Sequence, residues 1–462
     1  MINPNIFKAY DIRGIYGQDF DVEAAYQIGQ AYITFRQTDQ NYSPDKKLNI
    51  GIGMDMRLSS IELKEKLIEG LTSAGANVVD FGLISSPAFY FSVAKYELDG
   101  GIMVSASHNP GEWNGFKIVR EHAIPVSGDT GLNAMRDFIA AGTLPAMATR
   151  GEIKNINNIA TEQLNHDLQY VDLTGIRELK VVVDTANGMG AQYILELAKH
   201  LPIMLIPLNF PFDGTFPAHE SDPLKEENLK QLQTAVIEKK ADLGIAIDGD
   251  GDRIFFIDDS GKTINPAIIR GLLAQIFLSD KPGSKIGYDV RPGKITQDLI
   301  LENGGIPVLT RVGHSLIKAQ MIEENLFFAG ESSGHFYLNL PIGCFEMPNI
   351  IIVKLLNYFS KIDGKISDHI KQYERYSFSG EINSPVDDKT TTFKMIEEKY
   401  HDALEINYFD GISVIYPDFW FNVRASNTEN KMRLNLEAIT PEVMTEKRDE
   451  VLKIINHELL EK

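Results

Sequence analysis

Four short loops hold the side chains of this chain whose types and spacing could do chemistry. The first, Ser105-Ala106-Ser107-His108-Asn109-Pro110, follows the apolar run Ile102-Met103-Val104. That run reads as a strand, and Asn-Pro halts regular structure, so the Ser107 hydroxyl is expected at a tight strand-end turn beside His108. Taken alone, such a cluster is more often a solvated turn than a catalytic site, because neighbours in sequence need not face one another; its company further along the chain is what raises it. The second loop, Asp248-Gly249-Asp250-Gly251-Asp252-Arg253, alternates three carboxylates with glycines. Glycine lets the backbone curl, and hard oxygen donors suit one divalent cation such as Mg²⁺. A calcium-type helix-loop-helix fails here: the sixth position is Arg253 where glycine is required, and the twelfth is Asp259 rather than Glu. Arg253 beside a cation makes sense if a phosphate lies between them. A metal-free Asp/Gly turn is the plainer alternative.

The third loop, Glu331-Ser332-Ser333-Gly334-His335, offers a carboxylate, hydroxyls and an imidazole, a mixture suited to sugar hydroxyls. The fourth, Arg424-Ala425-Ser426-Asn427-Thr428-Glu429, offers a guanidinium, hydroxyls and an amide, which together suit a phosphate, although an ordinary Ser/Asn turn reads the same way. Asn187-Gly188-Met189-Gly190 lacks the third glycine of a dinucleotide-binding loop and reads as a structural strand-to-helix turn.

The elements that must position these loops form a coarse repeat. Leu48 to Asp55, Leu179 to Asp184 and Lys285 to Asp289 each read as a buried strand ending in Asp and followed by helical spacing. In each unit a second short apolar strand then runs into one of the polar loops. The class is α/β: three similar α/β domains, then a smaller α+β domain from about residue 372. That tail shows strand-like pieces at Tyr376 to Ile382, Gly411 to Tyr416, Trp420 to Arg424 and Met432 to Ala438, with a final helix from Pro441. Composition shifts place the domains at 1–148, 149–257, 258–371 and 372–462.

The 462 residues carry a formal net charge of −19, which disfavours nucleic acid or an anionic membrane surface as partner. Cys344 is the only cysteine, so no intrachain disulfide exists; a reducing cytoplasm fits, with Cys344 a buried bystander. The opening residues show no basic segment followed by an apolar core, and no apolar run reaches about 18 residues. Neither export nor a membrane span is expected.

In this order, these loops resemble those of the α-D-phosphohexomutase family, bacterial phosphomannomutase/phosphoglucomutase type. The resemblance also takes in Lys8-Ala9-Tyr10-Asp11-Ile12-Arg13-Gly14, Asn114-Gly115-Phe116-Lys117 and Arg311-Val312-Gly313-His314-Ser315, and so covers nearly the whole chain. It implies four domains around a central cleft, the last closing as a phosphate-binding lid. It implies a phosphoryl group carried on Ser107 and one Mg²⁺ per chain held by Ser107, Asp248, Asp250 and Asp252. Arg13, Lys117 and Arg253 would surround the transferring group, with His108 and His314 near the reacting centre. His314 or Lys117 would shuttle the hydroxyl proton, a choice the sequence leaves open. Tyr10, Arg291, Gly313, Glu331, Ser333, His335, Arg424, Ser426, Asn427 and Thr428 would bind the hexose phosphate. A hexose 1,6-bisphosphate would be both intermediate and activator, and the chain a monomer or weak homodimer.

Three positions depart from the family pattern: Ser332 where Met is common, Asn430 where Pro is common, and Arg291 where Lys or a small residue is frequent. Ser332 and Gly115-Phe116-Lys117 favour mannose and glucose phosphates. A glucosamine phosphate mutase, a Mg²⁺-dependent sugar-phosphate phosphatase or kinase, and a non-catalytic sugar-phosphate-binding protein stay open as alternatives.

Overall fold

Runs such as Leu243-Gly244-Ile245-Ala246-Ile247 are apolar without alternation because the strands they form are buried on both faces, as parallel strands covered by helices are. The computed structural model of the chain describes residues 2–38, 46–145, 149–425 and 430–457. They fall into two compact units. Met1–Ile264, Lys318–Phe327 and Ser333–Ser367 form the first; Asn265–Ile317, Phe328–Ser332 and Asp368–Lys462 form the second.

The first unit opens with a sheet of six strands: β1 (Ile12–Ile15), β2 (Asn49–Met54), β3 (Asn77–Leu83), β4 (Gly100–Val104), β5 (Trp113–Arg120) and β6 (Ile153–Asn155), in the order β1-β5-β4-β2-β3-β6. Helices Val22–Gln37 and Ser60–Ser73 bury Ile28, Ala31, Leu63 and Leu67 in one core with Ile50, Ile52 and Ile102 from the strands. A second sheet contains β7 (Lys180–Asp184), β8 (Met204–Leu208), β9 (Leu243–Ile247) and β10 (Ile254–Asp258), in the order β10-β9-β7-β8. Both sheets use one device. β2 runs parallel to β4, and β4 returns antiparallel as β5; β7 runs parallel to β9, and β9 returns antiparallel as β10. The Ser107 loop links β4 to β5, and the Asp248 to Arg253 loop links β9 to β10. The same backbone position therefore presents both.

The device recurs in part further along. β11 (Lys285–Asp289) pairs in parallel with β12 (Ile306–Thr310) and β13 (Phe328–Gly330) in the second unit, and the Glu331 to His335 loop follows β13. The chain then re-enters the first unit as the antiparallel pair β14 (Phe336–Leu340) and β15 (Gly343–Glu346). The tail forms an antiparallel sheet of β16 (Ser377–Pro385), β17 (Glu405–Asn407), β18 (Ile412–Ile415), β19 (Phe419–Ala425) and β20 (Lys431–Ala438), ordered β16-β20-β19-β18-β17. Its final helix, Pro441–Ile455, packs Val451, Ile454 and Ile455 against Val414, Phe421 and Leu434. Two tail elements were not anticipated. β17 is a short polar edge strand, and helix Lys389–Lys399 opens on three threonines, poor helix formers that here follow an Asp388 cap accepting from the Thr391 N–H.

Candidate active site

Ser107 adopts φ 52, a left-handed conformation that a residue with a Cβ enters at a cost of roughly 1 kcal/mol or more. What holds it there is Arg57, whose side chain is fully buried. Its Nε donates to Asp55 Oδ2 at 3.1 Å. Its terminal nitrogens donate to four backbone carbonyls of the loop: Ser107 at 2.8 Å, Asn109 at 2.6 Å, Pro110 at 2.7 Å and Trp113 at 3.0 Å. One guanidinium thus fixes the turn. Ser105 Oγ accepts the Ser107 N–H at 2.9 Å, and Arg13, paired with Asp11, donates to Asn109 Oδ1 at 2.7 Å. Sequence reading noted Asp55 at the strand end but passed over Arg57. The signal was the Asp-x-Arg spacing, which returns as Asp289-Val290-Arg291. Because an ammonium cannot reproduce a planar fork of five donors, Arg57→Lys is expected to lower Tm and to cost about tenfold or more in kcat. Calorimetry and turnover on one preparation check this; unchanged values for both would refute the bracing role.

The metal-type loop abuts this turn. Ser107 Oγ donates to Asp248 Oδ2 at 3.0 Å and lies 3.2 Å from His108 Nδ1. The other Asp248 oxygen, Oδ1, accepts the N–H groups of Gly251, Asp252 and Arg253 at 3.1, 3.0 and 3.1 Å. Gly249 permits the approach: a Cβ there would stand 2.6 Å from the Ser107 carbonyl oxygen. Gly188 plays a matching structural part, since a Cβ on it would meet the Gly249 carbonyl at 2.5 Å. Asp248, Asp250 and Asp252 each bring a carboxylate oxygen within 4.8 Å of the others and could hold a metal ion. The fit is chemical as well as spatial. Asp250 Oδ1 and Asp252 Oδ1 are buried without a hydrogen-bond partner, and all the donors are hard oxygens. The remaining oxygens are engaged: Lys117 Nζ reaches Asp250 Oδ2 and Asp252 Oδ2, each at 2.5 Å, and Ser86 Oγ donates to Asp250 Oδ2, also at 2.5 Å. Ser86 opens helix Ser86–Lys95 and was not foreseen from sequence.

Burial, then the charges of Asp252 and Asp250, push the Asp248 carboxyl well above the usual range. Burial also acts upward on Asp252, but Lys117 holds it below. Lys117 is raised well above the ordinary lysine value: desolvation opposes its charge, and Asp250 and Asp252 overcome that. It is therefore a fixed ammonium. His108 is driven well below its ordinary value by desolvation and by Arg253, Arg13 and Lys117, so its imidazole is neutral beside the Ser107 hydroxyl.

Arg253 and His335 meet in the first unit. Arg253 Nε donates to His335 Nε2 at 3.2 Å, and the guanidinium also lies 3.6 Å from Asp222 and 3.9 Å from Asp248. His335, expected on the sugar, thus stands against the cation of the metal-type loop. Ser333 is buried in the same unit, and its Oγ has no hydrogen-bond partner. Tyr10 is half-buried.

Other expected residues belong to the second unit. Arg291 Nη2 donates to Glu331 Oε1 at 3.0 Å, and Arg291 Nε donates to Asp289 Oδ2 at 2.8 Å. Asp289 also accepts from Arg270 at 3.1 Å and from the Ser332 N–H and Oγ, each at 2.9 Å. Burial alone would raise the Asp289 carboxyl; Arg291 and Arg270 hold it down at about 2. Ser332, the departure from the family pattern, therefore anchors its loop to Asp289. Gly313 takes φ 127, which favours glycine, just before His314 opens helix His314–Glu323. Arg424 donates to Glu381 Oε2 at 2.9 Å, and Arg433 lies 3.5 Å from Glu381 Oε1. Burial acts to raise Glu381, and Arg424, Arg291 and Arg433 together hold it below its ordinary value, so three arginines face one carboxylate. Arg433 was missed because it lies in the middle of an alternating strand. Ser426, Asn427 and Thr428 lie outside the described residues.

Comparison with known families decides what this assembly belongs to. The α/β/α domains I, II and III of phosphoglucomutase/phosphomannomutase match residues 4–144, 160–261 and 265–374, and the C-terminal domain of the same proteins matches residues 381–454. The chain belongs to the phosphoglucomutase/phosphomannomutase family. It is 38% identical to a phosphomannomutase of Escherichia coli over 97% of this chain and 98% of that one. It is 39% identical to a protein of Xanthomonas campestris pv. campestris described as phosphohexose mutases, over 93% and 94% of the two chains. Among solved structures, a phosphoglucomutase/phosphomannomutase family protein of Burkholderia thailandensis matches at 30% identity and a TM-score of 0.87, covering 99% of this chain and 98% of that one. The chain is accordingly a phosphohexomutase, an isomerase of carbohydrate metabolism, and the mutase reading is supported over its alternatives. Among the described residues no helix is long and apolar enough to cross a membrane.

Proposed function

We propose that this phosphohexomutase interconverts the 1- and 6-phosphates of mannose and glucose through a phosphoryl group carried on Ser107 Oγ. The observation that carries the reading is the Ser107 hydroxyl, 3.0 Å from Asp248 and 3.2 Å from a neutral His108 on a braced turn. Phosphoryl transfer depends mainly on positioning and charge stabilisation. Starting from the phosphorylated serine, the P–O bond to Ser107 breaks as a hexose monophosphate hydroxyl forms a new P–O bond, giving a 1,6-bisphosphate and a free serine. The other phosphate then returns to Ser107 and releases the isomeric monophosphate. Mg²⁺ held by Ser107, Asp248, Asp250 and Asp252 would neutralise phosphoryl charge when bound. Arg13 and Arg253 add positive charge, and Lys117, a fixed ammonium, does the same. That leaves His314 as the better proton shuttle of the two named from sequence. Added hexose 1,6-bisphosphate would activate the protein by phosphorylating Ser107. Glu331 and Ser333 are assigned to ring hydroxyls.

The experiment is an isomerisation assay on mannose, glucose and glucosamine 1-phosphates with a trace of bisphosphate. Mannose and glucose phosphates should both turn over without phosphate release. A glucosamine phosphate preference above about tenfold, 1.4 kcal/mol in the barrier, overturns the sugar assignment.

Arg424, with Arg433 and Arg291 beside it, is assigned to the substrate phosphate that is not transferring. Arg424 would exchange its Glu381 partner for that phosphate, a charge-assisted contact worth about 1.5 to 3 kcal/mol. Arg424→Ala should therefore raise KM for the monophosphate about tenfold or more, with a smaller change in kcat; an unchanged KM refutes the grip. Burial pushes the Cys344 thiol up to about 12, an inert group compatible with a cytoplasmic setting.

A further inference from the structure

A buried ion pair in the first unit has no part in the chemistry above. Lys318 Nζ stands 3.1 Å from Glu346 Oε2, with the two side chains 0% and 2% exposed. The ammonium also lies 4.2 Å from the centroid of the Tyr90 ring. Burying two charges costs several kcal/mol per ion before their attraction offsets it, and apolar residues of the same volume serve stability as well or better. Stability alone therefore does not account for the pair.

The second Glu346 oxygen points to a reason. Oε1 lies 3.5 Å from His335 Nδ1, and Asp252 Oδ1 lies 3.6 Å from the same nitrogen. On the far side of the ring, Nε2 accepts from Arg253 Nε at 3.2 Å. A neutral imidazole that accepts at Nε2 carries its proton on Nδ1, facing the carboxylates. The Tyr337 ring, 5.9 Å away and within 11° of parallel, fixes the plane of the imidazole. With the proton on Nε2 instead, two N–H groups would point at each other. Arg253 would then turn towards Asp222, already 3.6 Å from its Nη1.

We propose that Glu346, anchored by Lys318, is a positioning residue that fixes the Nδ1–H tautomer of His335 and through it aims the Arg253 guanidinium beside the Ser107 and Asp248 loops. The carboxylate state of Glu346 agrees: burial would raise its carboxyl, but the Lys318 ammonium, with the His335 N–H, holds it at about 2. Partners of this outer kind typically alter activity 10- to 100-fold without touching substrate. The kinetic consequence rests on Arg253 serving the transferring phosphoryl group; the tautomer does not.

The test uses the full chain and a double variant, because Glu346→Leu alone strands a buried ammonium. Lys318→Met with Glu346→Leu removes both charges and keeps the site apolar. Its Tm should stay within a few degrees of the parent, while kcat falls about tenfold or more and KM for glucose 1-phosphate changes less than about threefold. In ¹⁵N spectra of histidine-labelled protein, the parent should show His335 protonated at Nδ1 and bare at Nε2, and the double variant a mixture of tautomers. A double variant with parental kcat, or one that keeps the parental tautomer, overturns the proposal. If the parent interconverts no hexose phosphates, the mutase reading fails, and the ¹⁵N spectrum still decides the positioning role.

Discussion

Ser107→Ala is expected to lower kcat by more than about 1,000-fold, roughly 4 kcal/mol in the barrier, with little change in Tm. The change deletes one oxygen and nothing that shapes the loop. Arg57 grips backbone carbonyls, and Ser105 Oγ grips the Ser107 N–H, so both survive. Asp248 loses one donor, worth about 1 kcal/mol, while its other oxygen keeps three backbone N–H groups. Alanine enters the left-handed region at much the same cost as serine. What disappears is the atom proposed to carry the phosphoryl group, and two nearby hydroxyls are already engaged: Ser105 Oγ is committed to the turn and Ser86 Oγ to Asp250. Two measurements separate this from a folding defect. Mass spectrometry of the parent after exposure to glucose 1,6-bisphosphate should find one phosphate on the peptide containing Ser107, and the variant should take up none at equal Tm. A variant that keeps a tenth of parental turnover, or a phosphate found on another residue, would sink the assignment.

How much of this was legible in sequence depends on the distance over which each group finds its partner. The strands ending at Asp55, Asp184 and Asp289 were readable because an unbroken apolar run is a local property. The Asp248 to Arg253 loop was readable because all its carboxylates lie within five positions. Arg57 was not, since four of its five acceptors lie 50 to 56 residues further on. Lys318 and Glu346 were hidden for the same reason, 28 residues apart on a helix and a strand. A buried charge and a solvated one are written with the same letter, and only tertiary structure tells them apart. His335 was found by motif and assigned to the sugar; that its ring meets Arg253 is a relation no spacing rule could have supplied. The tail shows the converse. Its alternating strands declared themselves, whereas Arg433 was hidden as one more polar residue on the strand that carries it.

Chelation should abolish turnover, and Mg²⁺ should restore it, because the Asp248 loop is short of positive charge. Three buried carboxylates lie within 4.8 Å of one another, and among the described residues Lys117 is the one cation that bonds two of them. The strain shows in Asp248, whose carboxyl is pushed well above the usual range by burial and by its two like-charged neighbours. The partnerless oxygens of Asp250 and Asp252 give a divalent cation hard ligands without breaking the Lys117 contacts. Binding should be visible without the reaction, since a ligand held only by the folded state raises stability by about 2.7 kcal/mol at a hundredfold excess over Kd. Asp250→Asn is the discriminating variant. It keeps the shape of the side chain and the Lys117–Asp252 pair, and it removes one of the three charges. The Mg²⁺-dependent rise in Tm should shrink or vanish, and kcat should fall at least about 100-fold, roughly 2.7 kcal/mol in the barrier. Turnover that survives exhaustive chelation, or a parental Mg²⁺-dependent rise in Tm in Asp250→Asn, would remove the cation from this site and leave Lys117 and Arg253 as its counter-charges.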